Sequence, residues 1–193
     1  MAQAAAPKPQ RPVNYDDIVA LPEGIVGEII DGELITHPRP APPHAESSTN
    51  LTGLIVGPFR FGIGGPGGWV ILDEPEIQFA HHTLVPDLAG WRKERLPRLP
   101  QEGPLRVAPD WACEVLSPTT ESDDRRRKLR IYAEHHVAHA WLLDPLIRTL
   151  EVLRLQQGQW LIAGLYGGDE TVRAEPFDAI ELPLRLVWGG RDD

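Results

Sequence analysis

The sequence predicts a single-domain α/β fold, and three consecutive stretches carry that prediction. WACEVL at residues 111–116 is short, apolar and bounded by Pro109 and Pro118, as suits a strand buried on both faces. It is followed by TTESDDRRRKLRIYAEHH, which opens with capping residues and acids and then turns basic. That order suits a helix dipole, so a helix is expected over roughly 121–136. AWLLD then reads as the next strand, and strand, helix and strand in succession belong to layered α/β architecture.

The other elements follow in chain order. A length of 193 residues with 41% hydrophobic content suits one core. The opening MAQAAAPKPQRP lacks periodicity and reads as a disordered arm over residues 1–12, which leaves 13–190 as the domain. Asn14 is the expected N-cap of a short helix through Ala20, ended by Pro22 and Gly24. In IVGEIIDGELIT, Asp31-Gly32 separates two apolar runs. Both central positions of such a turn need positive φ, so a hairpin with strands at about 25–30 and 33–37 is expected. HPRPAPPH is a proline-rich loop, and Leu51, Leu54 and Ile55 fall at helical spacing within 44–57. GIGGPGG at residues 62–68 reads as a turn, since it contains proline and lacks the Gly-Lys-Ser/Thr of a phosphate loop. Strands are expected at about 69–72, 76–80 and 84–91, with LPRLPQEGP as a surface loop. AWLLD and TLEVLRL are two strands joined around Asp144-Pro145, and Gln157-Gly158 turns into WLIAGLY.

Composition excludes several functions. The only cysteine, Cys113, permits neither an intramolecular disulfide nor a cysteine zinc cluster and suits a reducing cytoplasm. No apolar stretch approaches the roughly 20 residues that cross a bilayer, and the N-terminus lacks a secretory apolar block, so no membrane association is expected. With 19 basic and 28 acidic side chains the formal charge is −9, which opposes general attraction to a nucleic-acid backbone. Docking on DNA therefore depends on where positive charge is concentrated. The histidines at 37, 44, 81, 82, 135, 136 and 139 form no H-E-x-x-H helix, and adjacent pairs on a strand point apart. Ser117 lies outside any G-x-S-x-G elbow.

Four residues remain as candidates for chemistry. Strand alternation puts Glu114 with Ala112 and Leu116, opposite Trp111, Cys113 and Val115. Effective desolvation of an ion costs several kcal/mol, so a carboxylate there is protonated, paired with a cation or bound to a metal. Asp87 follows Pro86 in LVPDLAGW, where apolar neighbours suggest a strand; a turn aspartate is the equal alternative. If the two strands are neighbours, the carboxylates can share a hard cation such as magnesium. Lys128 lies beside Leu129, Tyr132, Ala133 and His136, so its stem either runs along the core toward Glu114 or forms a surface i, i+4 pair with Asp124. Spacing alone favours the surface pair. Glu28 shares a strand face with Val26 and Ile30, and solvation at a sheet edge explains it equally well. Arg125, Arg126, Arg127 and Arg130 either contact phosphates or balance Glu121, Asp123 and Asp124, and by pattern they read as a solvated face.

Taken together, GEIIDGELI, the loop ending PPH, the VPDL box, PDWACEVLSPTTESDDRRRKLRIYAEHHVAHAWLLDP and the FDAIELPL tail resemble the Uma-type bacterial restriction endonucleases. These form a branch of the PD-(D/E)XK nuclease superfamily, and the resemblance spans about residues 14–188. It implies a restriction-endonuclease-like fold, a mixed central β-sheet flanked by helices, with Asp87 as the PD acid and Glu114 as the strand acid. Leu116 stands where the superfamily usually has its lysine. The resemblance implies that the lysine has moved to the neighbouring helix, at Lys128, and that Glu28 is the first-motif acid, placed to orient water or hold a second ion. The implied activity is hydrolysis of phosphodiester bonds in DNA, assisted by Mg2+ or Mn2+ on Asp87 and Glu114. Lys128 would stabilise developing negative charge, and Arg125, Arg126, Arg127 and Arg130 would seat the backbone. The rival expectation is a catalytically inactive interaction or DNA-binding protein on the same scaffold, with Glu114 paired to Lys128 or an arginine. Analogy with nucleases that cut both strands adds a homodimer, on fold-level grounds alone.

Overall fold

The structure, a computed structural model, describes residues 11–37 and 40–190. Most of the expected N-terminal arm and two residues of the HPRPAPPH loop thus lie outside the described residues. The chain opens with α1 (Tyr15–Val19), capped as expected: the Asn14 side chain accepts the Asp16 N–H, and Asp17 reciprocates at the Asn14 N–H. β1 (Val26–Ile30) and β2 (Glu33–His37) form the expected hairpin, with φ of 53° at Asp31 and 78° at Gly32. Helix α2 (Pro42–Ile55) begins two residues earlier than its apolar spacing suggested, because proline is at home in a first helical turn. A π-helical turn, Val56–Phe61, prolongs it.

β3 (Trp69–Asp73), β4 (Ile77–Phe79), β5 (His82–Leu84) and β6 (Leu88–Arg92) follow. The strand expected over 84–91 is therefore a correction: it is the end of one strand and most of another, and the two lie in different sheets. Pro86 brings no N–H to a ladder, and the Val85 N–H is taken by Glu28 Oε1 at 2.7 Å. Asp87 consequently leads into β6 rather than lying within a strand. Beyond β7 (Trp111–Val115), α3 (Glu121–Asp123), a π-helical turn (Asp124–Lys128) and α4 (Leu129–Glu134) run on as one helix. β8 (His139–Asp144), β9 (Thr149–Gln156) and β10 (Gln159–Gly167) come next, then β11 (Thr171–Val172), β12 (Leu182–Pro183) and α5 (Leu184–Val187).

The central sheet has six strands in the order β10-β9-β8-β7-β6-β3, with β7 and β8 parallel and the other pairs antiparallel. It is the expected mixed sheet, and the 121–134 helix is the crossover between its parallel strands. Beside it stands a four-stranded antiparallel sheet, β2-β1-β5-β4. One face of the central sheet packs Trp69, Trp111 and Trp141 against Phe177 and against Leu51, Ile55 and Phe59 of α2 and its π turn. The other packs Ala89, Trp91 and Ala112 against Ile30, Phe79, Ile131 and Tyr132. All five residues of β7 are buried, which is why its sequence is apolar at nearly every position. Gly90 lets the rings pack closely, since a Cβ there would sit 3.2 Å from both Trp69 and Trp111, tighter than an ordinary contact. Among the described residues no helix is long and apolar enough to cross a membrane.

Candidate active site

Strands β6 and β7 pair through Leu88 with Cys113, and one further step of that register sets Asp87 across from Glu114. The backbone confirms the approach: Val115 N–H donates to Asp87 Oδ2 at 2.6 Å. Glu114 points to the face opposite Trp111, Cys113 and Val115, as alternation required, and is only 2% exposed. The parallel crossover then brings the 121–134 helix over it. Asp124, Lys128 and Tyr132 recur every four residues and so lie along one helix face. The Tyr132 hydroxyl donates to Glu114 Oε1, and Lys128 Nζ donates to Glu114 Oε2 at 3.1 Å.

Lys128 is buried and carries more than this one pair. Its ammonium also lies 3.1 Å from Glu28 Oε1 and 3.2 Å from Asp124 Oδ1. The surface pair favoured by spacing is thus corrected: the Asp124 contact exists, but inside the protein, and Lys128 reaches Glu114 as well. Glu28 is likewise not solvated at an edge, since β1 lies between β2 and β5 and its side chain is 1% exposed. Its oxygens receive the Val85 N–H, Lys128 and the His37 ring at 2.8 Å.

Asp87, Glu114, Asp124 and Lys128 open onto a cavity of about 560 Å³. His44, from the first turn of α2, completes this wall, with Nε2 3.1 Å from Asp87 Oδ1. Three carboxylates, Glu28, Glu114 and Asp124, therefore surround one permanent cation, and Asp87 adds a fourth negative charge nearby. Burial, together with Asp124, Asp87 and Glu28, pushes the Glu114 carboxyl well above its ordinary range despite Lys128. Burial also raises Asp124, whose Oδ1 is buried without a well-aligned hydrogen bond. Burial acts against the Lys128 charge, but Glu114, Glu28 and Asp124 outweigh it and hold the ammonium protonated. Glu28 shows the opposite balance: burial raises it, yet Lys128, His37 and the Val85 N–H together hold it below the usual carboxylate range. His44 is raised, since the hydrogen bond and charge of Asp87 exceed the effect of burial. Among the described residues no three His, Cys, Asp or Glu side chains form a ready-made metal cage.

The arginine cluster is placed differently from the site. Arg125 pairs with Glu121 and Glu151, Arg127 with Asp31 and Glu33, and Arg130 with Asp31 and Glu134, so three of the four tie the helix to its neighbours. Arg126 is exposed. The sequence named His37, His44, Asp124 and Tyr132 but did not place them in the site. Asp124 and Tyr132 were accessible in principle, being four residues either side of Lys128, whereas the two histidines reach the site only through the tertiary fold.

A mixed central sheet flanked by helices, with Asp87 at the entry to β6 and Glu114 on the neighbouring β7, is a restriction-endonuclease-like α/β fold. The chain belongs to the Uma2 family, described as "Putative restriction endonuclease", whose family model matches residues 15–185. Among solved structures it is similar to the crystal structure of a "putative nuclease" from Anabaena variabilis, with a TM-score of 0.71 and 24% identity over 92% of this chain and 98% of that one. That likeness establishes the shared fold. No curated protein matches the chain.

Proposed function

We propose that the chain is a divalent-metal-dependent endonuclease that hydrolyses phosphodiester bonds in DNA. The observation that carries this reading is a surplus of carboxylates: Glu28, Glu114 and Asp124 lie within 3.2 Å of the single ammonium of Lys128, and Asp87 lines the same cavity as Glu114, Asp124 and Lys128. The donor set fits a hard dication. Magnesium usually takes one or two carboxylates and keeps several waters, so Asp87 and Glu114 suffice without a closed cage. Each of their oxygens has two lone pairs, and the neighbouring donors leave capacity for a further ligand. Mg2+ or Mn2+ held there would supply Lewis-acid polarisation of a phosphoryl oxygen.

The chain's own residues supply the rest. Lys128, held charged, sets a fixed positive charge beside the cavity where negative charge would develop on the phosphate. Glu28 lies behind Lys128 and acts on it as a positioning residue, while Asp124 braces the same ammonium from the helix. His44 restrains Asp87 from the α2 side of the cavity.

A second reading, an inactive nuclease-fold protein that binds a partner or DNA, is favoured by one observation: both oxygens of Glu114 already have donors, Tyr132 and Lys128. Calorimetric titration with Mn2+ separates the two. The metal-dependent reading predicts saturable binding that Asp87→Ala abolishes, and no site-specific heat in the wild type would support the inactive scaffold.

A further inference from the structure

The acidic balance of the chain leaves open where a polyanion would rest, because three of the four helix arginines are tied to acids. Residues 92–98, RKERLPR, carry four basic side chains and one acid in a chain of net charge −9. Arg92 and Lys93 are exposed at the end of β6. The Arg92 guanidinium lies 4.1 Å from the ring centroid of Trp69, a cation–π contact made by a residue that stays exposed. Lys93 donates its backbone N–H to Gly68 O at 3.0 Å and its ammonium to Arg60 O at 3.2 Å. Among the described residues neither side chain has a carboxylate partner.

These bonds tie the basic segment to the glycine-rich turn at 62–68. That turn is folded tightly: a Cβ on Gly65 would sit 2.5 Å from Pro58 Cβ, and Gly62 and Gly64 have φ of 72° and 73°. At its start Phe61 is 64% exposed and Ile63 71% exposed, so two large apolar side chains stand in water one and three residues past Arg60, whose carbonyl receives the Lys93 ammonium. Cations for phosphates next to apolar side chains for sugars or base steps are the chemistry of a nucleic-acid contact. Arg92 is five residues from Asp87 along the chain, so their Cα atoms are at most about 18 Å apart. That span corresponds to roughly five base pairs at about 3.4 Å each.

We infer that the 62–68 turn and the segment leaving β6 form a second contact surface for duplex DNA, with Arg92 and Lys93 on phosphates and Phe61 and Ile63 against the groove. The inference rests on the nuclease reading and names the surface that holds the duplex while one phosphate occupies the cavity. The test is fluorescence anisotropy of the full chain with a labelled DNA duplex over a salt series, with a chelator present to prevent cleavage. Replacing both cations, Arg92→Gln with Lys93→Gln, is expected to weaken binding at low salt at least tenfold and to reduce the slope of log affinity against log salt by about 2. Phe61→Ser with Ile63→Ser is expected to weaken binding while leaving that slope unchanged. A slope and affinity unaltered by the Arg92/Lys93 variant, or a loss confined to Arg126→Gln, overturns the inference. Wild-type binding that survives the Arg92/Lys93 variant contradicts this surface alone, whereas a wild type without affinity for the duplex contradicts the nuclease reading as well.

Discussion

Lys128 holds the charge of the site in place, because three carboxylates approach its buried ammonium at 3.1–3.2 Å. Removing one partner of a buried ion cluster leaves the others uncompensated, a cost of about 3–5 kcal/mol. Lys128→Met is therefore expected to lower unfolding stability by about that amount at neutral pH in a urea titration. Tyr132→Phe deletes only a hydroxyl that donates to Glu114 and is expected to cost about 1.5–3 kcal/mol in the same titration, with the fold retained. Of these residues, Glu114 was legible in the sequence, since an acid inside WACEVL has to face a core whichever way the strand turns. The destination of Lys128 was not. Its i, i+4 spacing to Asp124 reads identically on a solvated and on a buried helix face, and only the packing of the helix across β7 decides between them. Glu28 failed for a related reason: a hairpin strand next to Asp31-Gly32 gives no sign that β5, some 50 residues later, will cover its other edge.

Among the elements, the hairpin at Asp31-Gly32, the strand β7 and the following helix were readable because turn chemistry and apolar runs are local signals. The β4 to β5 connection was hidden. It turns at Ala80, with φ of 51°, where neither glycine nor asparagine marks it, and His81 lies before β5, outside strand alternation, with its ring tilted 40° against that of His82 at a centroid distance of 4.0 Å. That hairpin carries its own pH dependence. His82 is 2% exposed, and its Nδ1 accepts the Asp31 N–H at 3.1 Å, a bond that needs the neutral ring. Burial pulls its pKa below 6.5, with His81 and Arg130 in the same direction and Asp31 and Glu134 opposing. The unfolded chain then binds the proton more readily. The stability His82 contributes is accordingly full above about pH 6.5 and is lost as pH falls through the lower folded value. Denaturation profiles between pH 7.5 and pH 5 are expected to show a smaller acid loss for His82→Gln, whose amide oxygen still accepts the Asp31 N–H; an unchanged profile would contradict that account.

For the whole molecule, the tail residue Phe177 closes the core by touching Phe59, Trp69, Trp111 and Trp141, with ring centroids 4.7–5.6 Å away. Phe177→Ala is expected to cost about 3–5 kcal/mol by chemical denaturation. Nothing in the FDAIELPL segment marks that role, because a single aromatic in an irregular stretch has no periodicity to align with the sheet. The same long-range assembly brings β1, the 85–87 link, β7, the helix and α2 to one cavity, so the acids of the site were readable singly while their number around one lysine was not. That surplus of negative charge is what the proposed function turns to use. The most direct test is incubation of the purified chain with plasmid DNA, with and without Mg2+, beside the Asp87→Ala variant. Cleavage that requires the cation and falls by about 10²-fold or more in the variant is the predicted result. Cleavage without a divalent cation, equal cleavage by Asp87→Ala, or no cleavage by the wild type in Mg2+ would contradict the account.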